Sequence, residues 1–201
     1  MRVLVACEYS GRVREAFRKL GHDAWSCDIL PADDGSEYHI QDDVLKHLGE
    51  GWDLMIAHPP CTHLAVSGAK HFAAKIADGR QQEALEFVQA LLDAPIKNIA
   101  LENPVSVIST KIRKPTQIIQ PWQFGHEAQK TTCLWLKNLP NLVPTSIVGK
   151  GDFYTSPSGK RLPKWYSATK DPKKRSETFQ GIADAMADQW GRKRLTSIMK
   201  G

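Results

Sequence analysis

The chain has 201 residues, 41% of them hydrophobic and 24% charged, and its formal net charge is +5 at pH 7. This length supports one hydrophobic core and is too short for two substantial domains. No stretch approaches the roughly 18 apolar residues of a membrane span, and the N-terminal apolar run is shorter than that of a signal peptide. Four cysteines without a CxxC pair argue against a disulfide framework and favour a reducing cytoplasm.

The first half of the chain alternates short apolar runs with helical patterns. Helical spacing predicts helices at about 12–20 and 79–92, and a short helix that Asp42 or Asp43 would cap. The apolar runs predict strands at 3–6, 24–27, 54–57 and 99–101. This β-α-β-α-β order indicates a parallel sheet with right-handed crossovers.

The second half is less regular. A strand is predicted at 131–136. A final helix is predicted with Ser176 as its cap and an apolar face that runs from Phe179 to Trp190.

The stretch 149–175 is strongly basic and is predicted to form a hairpin or an extended loop. It holds eight Lys or Arg residues, Lys160 and Arg161 among them, against two acids, with four aromatic residues interleaved. Basic and aromatic side chains together suit a polyanion whose bases can stack. A solvated lysine-rich loop is the alternative interpretation.

The first turn, from Cys7 to Gly11, joins a strand to a helix where backbone N–H groups would meet a nucleotide-like cofactor. Asp28 ends the second strand about 17 residues after Gly11, close to the roughly 20-residue offset at which an acid meets a ribose hydroxyl. Each feature has a structural alternative, with Gly11 as a helix-start residue and Asp28 as a loop acid. Their joint placement favours a cofactor that contains adenosine.

Cys61 follows two prolines after the strand at 54–57. Pro59 and Pro60 stop both strand pairing and helix formation, so the thiol would stand on a stiff loop at the carboxyl end of a strand. Free cysteines are often small buried hydrophobes, which is the alternative. The polar setting favours a nucleophilic role for Cys61. Nearby N–H groups or a cationic histidine would lower the pKa of its thiol.

Glu102 ends the apolar strand at 99–101. Burial of an unpaired carboxylate is costly, so we expect a raised pKa that would make Glu102 a proton donor near neutral pH. His58, Cys61 and His63 also suggest zinc. No second cluster at ligand spacing follows them, so no metal site is predicted.

These residues resemble the DNA cytosine-5 methyltransferase family in the order of its motifs. The segment 53–61 looks like its Pro-Cys motif, and 101–104 like its Glu-Asn-Val motif with Pro104 in place of valine. The segment 181–185 is similar to the Gly-Asn-Ala motif that closes the cofactor pocket. At 129–131 the family has Gln-x-Arg; this chain has Gln-Lys-Thr, which leaves Lys130 as the substitute for arginine.

The resemblance implies an α/β fold of the Rossmann-like S-adenosylmethionine-dependent methyltransferase type, with a mostly parallel sheet and helices on both faces. It also implies a single domain over 1–201, in which 149–175 replaces a target-recognition domain, as in compact versions that phages and prophages encode. S-adenosylmethionine would be the cofactor. The cofactor-binding residues implied are Cys7, Glu8, Tyr9, Ser10, Gly11, Asp28, Ile29, Asp43, His58, Pro59 and Ala183.

The family's mechanism implies two catalytic residues. The Cys61 thiolate would add to C6 of cytosine while Glu102 donates to N3, after which C5 takes the methyl group. The segment 67–71 would be a mobile loop that closes over the flipped base of a DNA duplex. The substrate-binding residues implied are Pro60, Ser67, Gly68, Arg80, Asn103, Lys130, Lys160 and Arg161.

Several alternatives stay open from the sequence. Without a target-recognition domain, the substrate would be a free pyrimidine nucleotide such as dCMP, or a partner protein would supply specificity. A non-catalytic nucleic-acid-binding relative is favoured by the departure of the first turn from the family's glycine-rich motif, but retention of Cys61 and Glu102 weighs against it. For a cysteine-dependent hydrolase, no histidine-acid arrangement can be assigned.

Overall fold

A computed structural model of the protein describes residues 1–157 and 159–192. Ser158, within the predicted basic segment, and 193–201, at the end of the predicted domain, lie outside the described residues. The strands are β1 (Arg2–Ala6), β2 (Asp23–Asp28), β3 (His39–Gln41), β4 (Leu54–Ala57), β5 (Asn98–Pro104), β6 (Gln117–Ile119), β7 (Thr132–Lys137), β8 (Phe153–Thr155) and β9 (Arg161–Pro163). The helices are α1 (Arg12–Lys19), α2 (Phe72–Ala77), α3 (Arg80–Leu92), α4 (Ile108–Lys111), α5 (Lys164–Ala168), α6 (Pro172–Ser176) and α7 (Gln180–Gly191), with 3-10 turns at Val44–Lys46, Val66–His71 and Pro121–Gln123.

Seven strands form one sheet in the order β3-β2-β1-β4-β5-β7-β6. The pairs from β3 to β5 are parallel, and β7 runs antiparallel to both β5 and β6. This is the strand arrangement of the Rossmann-like methyltransferase fold, so the predicted fold class is confirmed. A separate two-stranded hairpin, β8–β9, lies within the basic segment.

The sheet is buried because helices cover both of its faces. Alternate residues of a strand point to opposite faces. Val3 and Val5 therefore pack in the core that α1 and α7 cover, whereas Leu4 and Ala6 pack in the core that α3 covers. Burial on both faces explains why the central strands are continuous apolar runs rather than alternating ones.

The start of the final helix differs from the prediction. Ser176 does not cap it: the Ser176 hydroxyl donates to the carbonyl of Lys173, three residues back in α6. The last helix, α7, begins at Gln180, and the extended residue Phe179 precedes it. The serine therefore completes a short basic helix that the sequence did not indicate.

The segment 67–71 was predicted as a loop, but it lies in the 3-10 helix Val66–His71 and continues directly into α2. Short elements such as β3 and β6 were also missed, because three residues are too few to display a strand period. None of the helices in the described part of the chain is long and apolar enough to cross a membrane.

Candidate active site

The predicted site residues converge because four parallel strands end at one edge of the sheet. The register pairs Ala6 of β1 with Ala57 of β4, and Ala57 with Leu101 of β5. The next residues, His58 and Glu102, therefore follow the same rung of the sheet. The carboxyl edge of an open α/β sheet is where such folds bind ligands.

Two adjoining cavities open at this edge, with volumes of about 330 Å³ and about 360 Å³. These volumes lie within the usual range of small-molecule sites. The first cavity extends from β2 to α3 and includes the apolar side chains of Val44 and Phe87. The second includes the first turn, His58 and Cys61. The cavities share four residues: Cys7, Asp28, Ile29 and Pro60.

Glu8 lines the second cavity, but its carboxylate is directed at the start of α1. One oxygen accepts from the N–H of Val13 at 2.7 Å and the other from the N–H of Arg14 at 3.1 Å. These are donors that a helix N-terminus leaves free. Glu8 therefore satisfies the N–H groups of Val13 and Arg14, and cofactor binding by the first turn itself stays a prediction.

Gly11 lines neither cavity. It has a φ of +72°, and an added Cβ would overlap the guanidinium of Arg14 and crowd the carboxylate of Asp34. Arg14 is fully buried and pairs with Asp34. Glycine is required here by the backbone conformation and by this packing.

The first cavity has an acidic lining. Asp28, Asp42, Asp43 and Glu83 contribute carboxylates, and Arg80 is the one Arg or Lys of the lining. The guanidinium of Arg80 pairs with Asp78, with 2.8 Å between its Nε and the carboxylate. Asp43, one of the two residues predicted as a cap, also caps the 3-10 turn that follows it by accepting from the N–H of Leu45. An excess of negative charge disfavours phosphate groups and favours ligands that carry positive charge.

Cys61 stands on a tight turn that its own carbonyl stabilises, accepting from the N–H groups of Leu64 and Ala65 at 3.0 and 2.9 Å. Burial raises the pKa of the Cys61 thiol, and the nearby charge of Glu102 raises it further. A backbone hydrogen bond and the charges of Lys130 and Lys75 oppose this rise only in part. The prediction of a lowered pKa is therefore wrong.

Glu102 is largely buried, with 12% of its side chain exposed, and His58 is its hydrogen-bond partner: Nδ1 lies 3.0 Å from Oε2. Burial acts to raise the pKa of Glu102, but the hydrogen bond from His58 and the charge of Lys130 lower it, and the net direction is downward. The predicted rise is wrong because it assumed an unpaired carboxylate. In the free protein Glu102 is ionised.

Lys130 and Asn103, both predicted to bind substrate, make contacts within the protein. The ammonium of Lys130 donates to the carbonyls of Arg175 at 3.0 Å and Glu177 at 3.3 Å. Asn103 is buried, and its side-chain N–H donates to the carbonyl of Pro59 at 2.9 Å. These two side chains hold the surrounding loops around the cysteine turn and the second cavity.

Other predicted residues lie apart from the two cavities. Ala183 is fully buried in the core between α7 and the sheet, and Pro59 lines neither cavity. Lys160 and Arg161 lie in the β8–β9 hairpin, where Arg161 stacks 4.3 Å above the Phe153 ring. Ser67 and Gly68 lie in the 3-10 helix Val66–His71, outside both cavities.

Two parts of the site have no local signal in the sequence. Lys75 of α2 is buried, and its ammonium donates to the carbonyl of Thr62, next to Cys61. The segment 176–178 forms one wall of the second cavity, where Ser176 meets the Tyr9 hydroxyl at 3.1 Å. Neither was foreseeable from local pattern, because α2 and α6 were not predicted. Within residues 1–157 and 159–192, no group of three or more His, Cys, Asp and Glu side chains is arranged to hold a metal ion.

Comparison with known proteins reveals similarity to solved structures. No protein-family model matches the chain, and no curated protein matches it. Among solved structures it is similar to a protein encoded within an E. coli prophage and provisionally assigned as a DNA modification methyltransferase, with 16% sequence identity and a TM-score of 0.49. The match covers 74% of this chain and 52% of that one, so the chain spans about half the length of the protein it matches.

Proposed function

We propose that this protein is an S-adenosylmethionine-dependent methyltransferase that acts on C5 of cytosine in DNA through a covalent bond between Cys61 and C6. The observation that carries this proposal is the placement of a thiol after β4 and a carboxylate near the end of β5, on neighbouring strands at the edge where two cavities adjoin. A nucleophile and a hydrogen-bonding acid on adjacent strand ends suit addition to an electron-poor ring.

The lining of the cavities supports S-adenosylmethionine as the cofactor. The sulfonium and ammonium groups of this cofactor are positive and suit the acidic first cavity. The phosphates of a dinucleotide would be repelled there, and the carboxylate of Glu8 already accepts from the N–H groups at the start of α1. Asp28 would hold the ribose hydroxyls, Val44 and Phe87 would pack on the adenine, and Asp43 would accept from its amino group. Cys7, Tyr9 and Ser10 of the first turn would surround the methionine end. When bound, the cofactor supplies an electrophilic methyl group.

The chain's own residues supply the rest of the reaction. Cys61 first loses its S–H proton to solvent and Glu102 gains a proton. The thiolate then forms a bond to C6, and the π electrons of the C5–C6 bond move towards N3, where Glu102 donates a proton. C5 becomes nucleophilic and takes the methyl group. Loss of the C5 proton to solvent restores the double bond and expels the thiolate, while N3 returns its proton to Glu102.

A DNA substrate is supported by the basic segment. Lys160 and Arg161 are exposed on the β8–β9 hairpin, so their charges are available to phosphates. A base in a duplex must be flipped out of the stack to reach Cys61. All four cysteines are free thiols, which is consistent with the reducing cytoplasm as the place of action.

The test is transfer of labelled methyl groups from S-adenosylmethionine to duplex DNA, single-stranded DNA and dCMP in parallel. We expect label in C5 of cytosine in DNA. Label in dCMP alone would replace DNA by a free nucleotide, and no label in any substrate would refute the proposal. Cys61→Ser should abolish turnover while calorimetry shows cofactor binding close to that of the wild type. Turnover that persists in this variant would refute the covalent mechanism.

A further inference from the structure

His58 is held firmly at the end of β4. The backbone N–H of His58 donates to the carbonyl of Ala6 at 2.9 Å, which continues the pairing of β1 and β4 by one residue. Only 12% of its side chain is exposed, and His58 lines the second cavity together with Cys61. Glu102 lines neither cavity. His58 is therefore the residue of this pair that lines the space where a substrate would meet the thiol.

The pair carries an unusual distribution of hydrogen-bonding groups. Nδ1 of His58 lies 3.0 Å from the carboxylate of Glu102, while Nε2 is buried and has no hydrogen-bond partner among the described residues. His58 is also the one side chain in the described part of the chain that is hydrogen-bonded to the Glu102 carboxylate. An ionised Glu102 has no proton to donate, so the reaction requires a proton to reach it.

We propose that His58 positions Glu102 and stores the proton that Glu102 delivers to the base. This inference rests on the proposed function. The proposed transfer starts from the protonated form of His58: its Nδ1–H bond breaks and an O–H bond forms on the carboxylate, which leaves a neutral pair. Glu102 then donates to N3 as Cys61 adds to C6, and the same proton returns to His58 when the thiolate is expelled. No net proton is consumed.

The entry of a base favours this transfer. The base excludes water, and in a low-dielectric site a neutral pair is favoured over separated charges. The other charged and titratable groups around the pair are Lys130, Lys75 and Cys133, together with Glu8, Tyr9, Asp28 and Glu177 of the second cavity.

The test separates the two roles with His58→Asn and His58→Ala. The side-chain N–H of asparagine can donate to the Glu102 carboxylate in place of Nδ1–H, but asparagine cannot store a proton. Alanine can neither donate to the carboxylate nor store a proton. General acid catalysis contributes about 10²–10⁴-fold, so we expect His58→Asn to lose roughly 100-fold in kcat near pH 7.5, with part of the rate regained as the pH falls. His22→Asn, remote from the site, is the matched control.

A second measurement does not depend on activity. In the free protein, carbon-13 NMR titration of the Glu102 carboxyl should show a higher midpoint in His58→Asn than in the wild type, because the histidine lowers the pKa of Glu102. An unchanged midpoint, or a His58→Asn enzyme with the kcat and pH profile of the wild type, would overturn the inference. A wild type that transfers no methyl group would defeat the proposed function, but the titration would still test the coupling of His58 and Glu102.

Discussion

Glu8 gives the sharpest test of how the first turn is built. In the native protein the Glu8 carboxylate accepts from the N–H groups of Val13 and Arg14 at 2.7 and 3.1 Å, and Glu8→Ala removes both acceptors. Both residues are fully buried, and a buried N–H without a partner costs about 1–3 kcal/mol. Water from the second cavity would replace part of the loss. We therefore expect the free energy of unfolding to fall by about 3 kcal/mol, a large share of a typical 5–15 kcal/mol.

Urea denaturation followed by far-ultraviolet circular dichroism measures this change. Glu8→Gln keeps one acceptor and should lose about half as much, since one N–H stays paired. The matched control is Glu15→Ala in the same helix: its carboxylate pairs with Arg14 but is 42% exposed, so its loss should stay below about 1 kcal/mol. A Glu8→Ala protein no less stable than Glu15→Ala would refute the assignment of Glu8 to the start of α1.

Two further predictions concern α7 and the cysteine turn. In Gly181→Ala the added methyl group would overlap the carbonyl oxygen of Phe124, so despite the better helix propensity of alanine we expect a net loss of about 2 kcal/mol in urea denaturation. Gly49→Ala, which meets open space, is the control, and equal stabilities would contradict the packing argument. In Lys75→Met the pKa of Cys61 loses a lowering influence, so alkylation of that thiol by iodoacetamide at pH 8, followed by mass spectrometry, should slow severalfold. An unchanged rate would show that the ammonium does not act on the thiol.

The elements that the sequence predicted well are those with strong local signals. The strand at 54–57 coincides with β4, because a fully buried parallel strand is one short apolar run that prolines terminate. The helix at 79–92 agrees within one residue with α3. Once these strands are parallel neighbours, their ends meet at one edge, and the convergence of His58, Cys61 and Glu102 follows from chain order alone.

The roles of individual site residues depended on the tertiary structure. Glu102 was expected to have a raised pKa. His58, 44 positions before it in sequence, and Lys130, 28 positions after it, together turn the shift of this pKa downward. The carboxylate of Glu8, a residue predicted to bind the cofactor, accepts hydrogen bonds at the start of α1, which the local sequence did not indicate. Hydrophobic period and turn chemistry are properties of a few neighbouring residues, so the sequence by itself determined the central parallel strands and the order in which the candidate site residues follow them. Charge, hydrogen bonding and burial depend on which distant segments meet, and only the folded chain decided those.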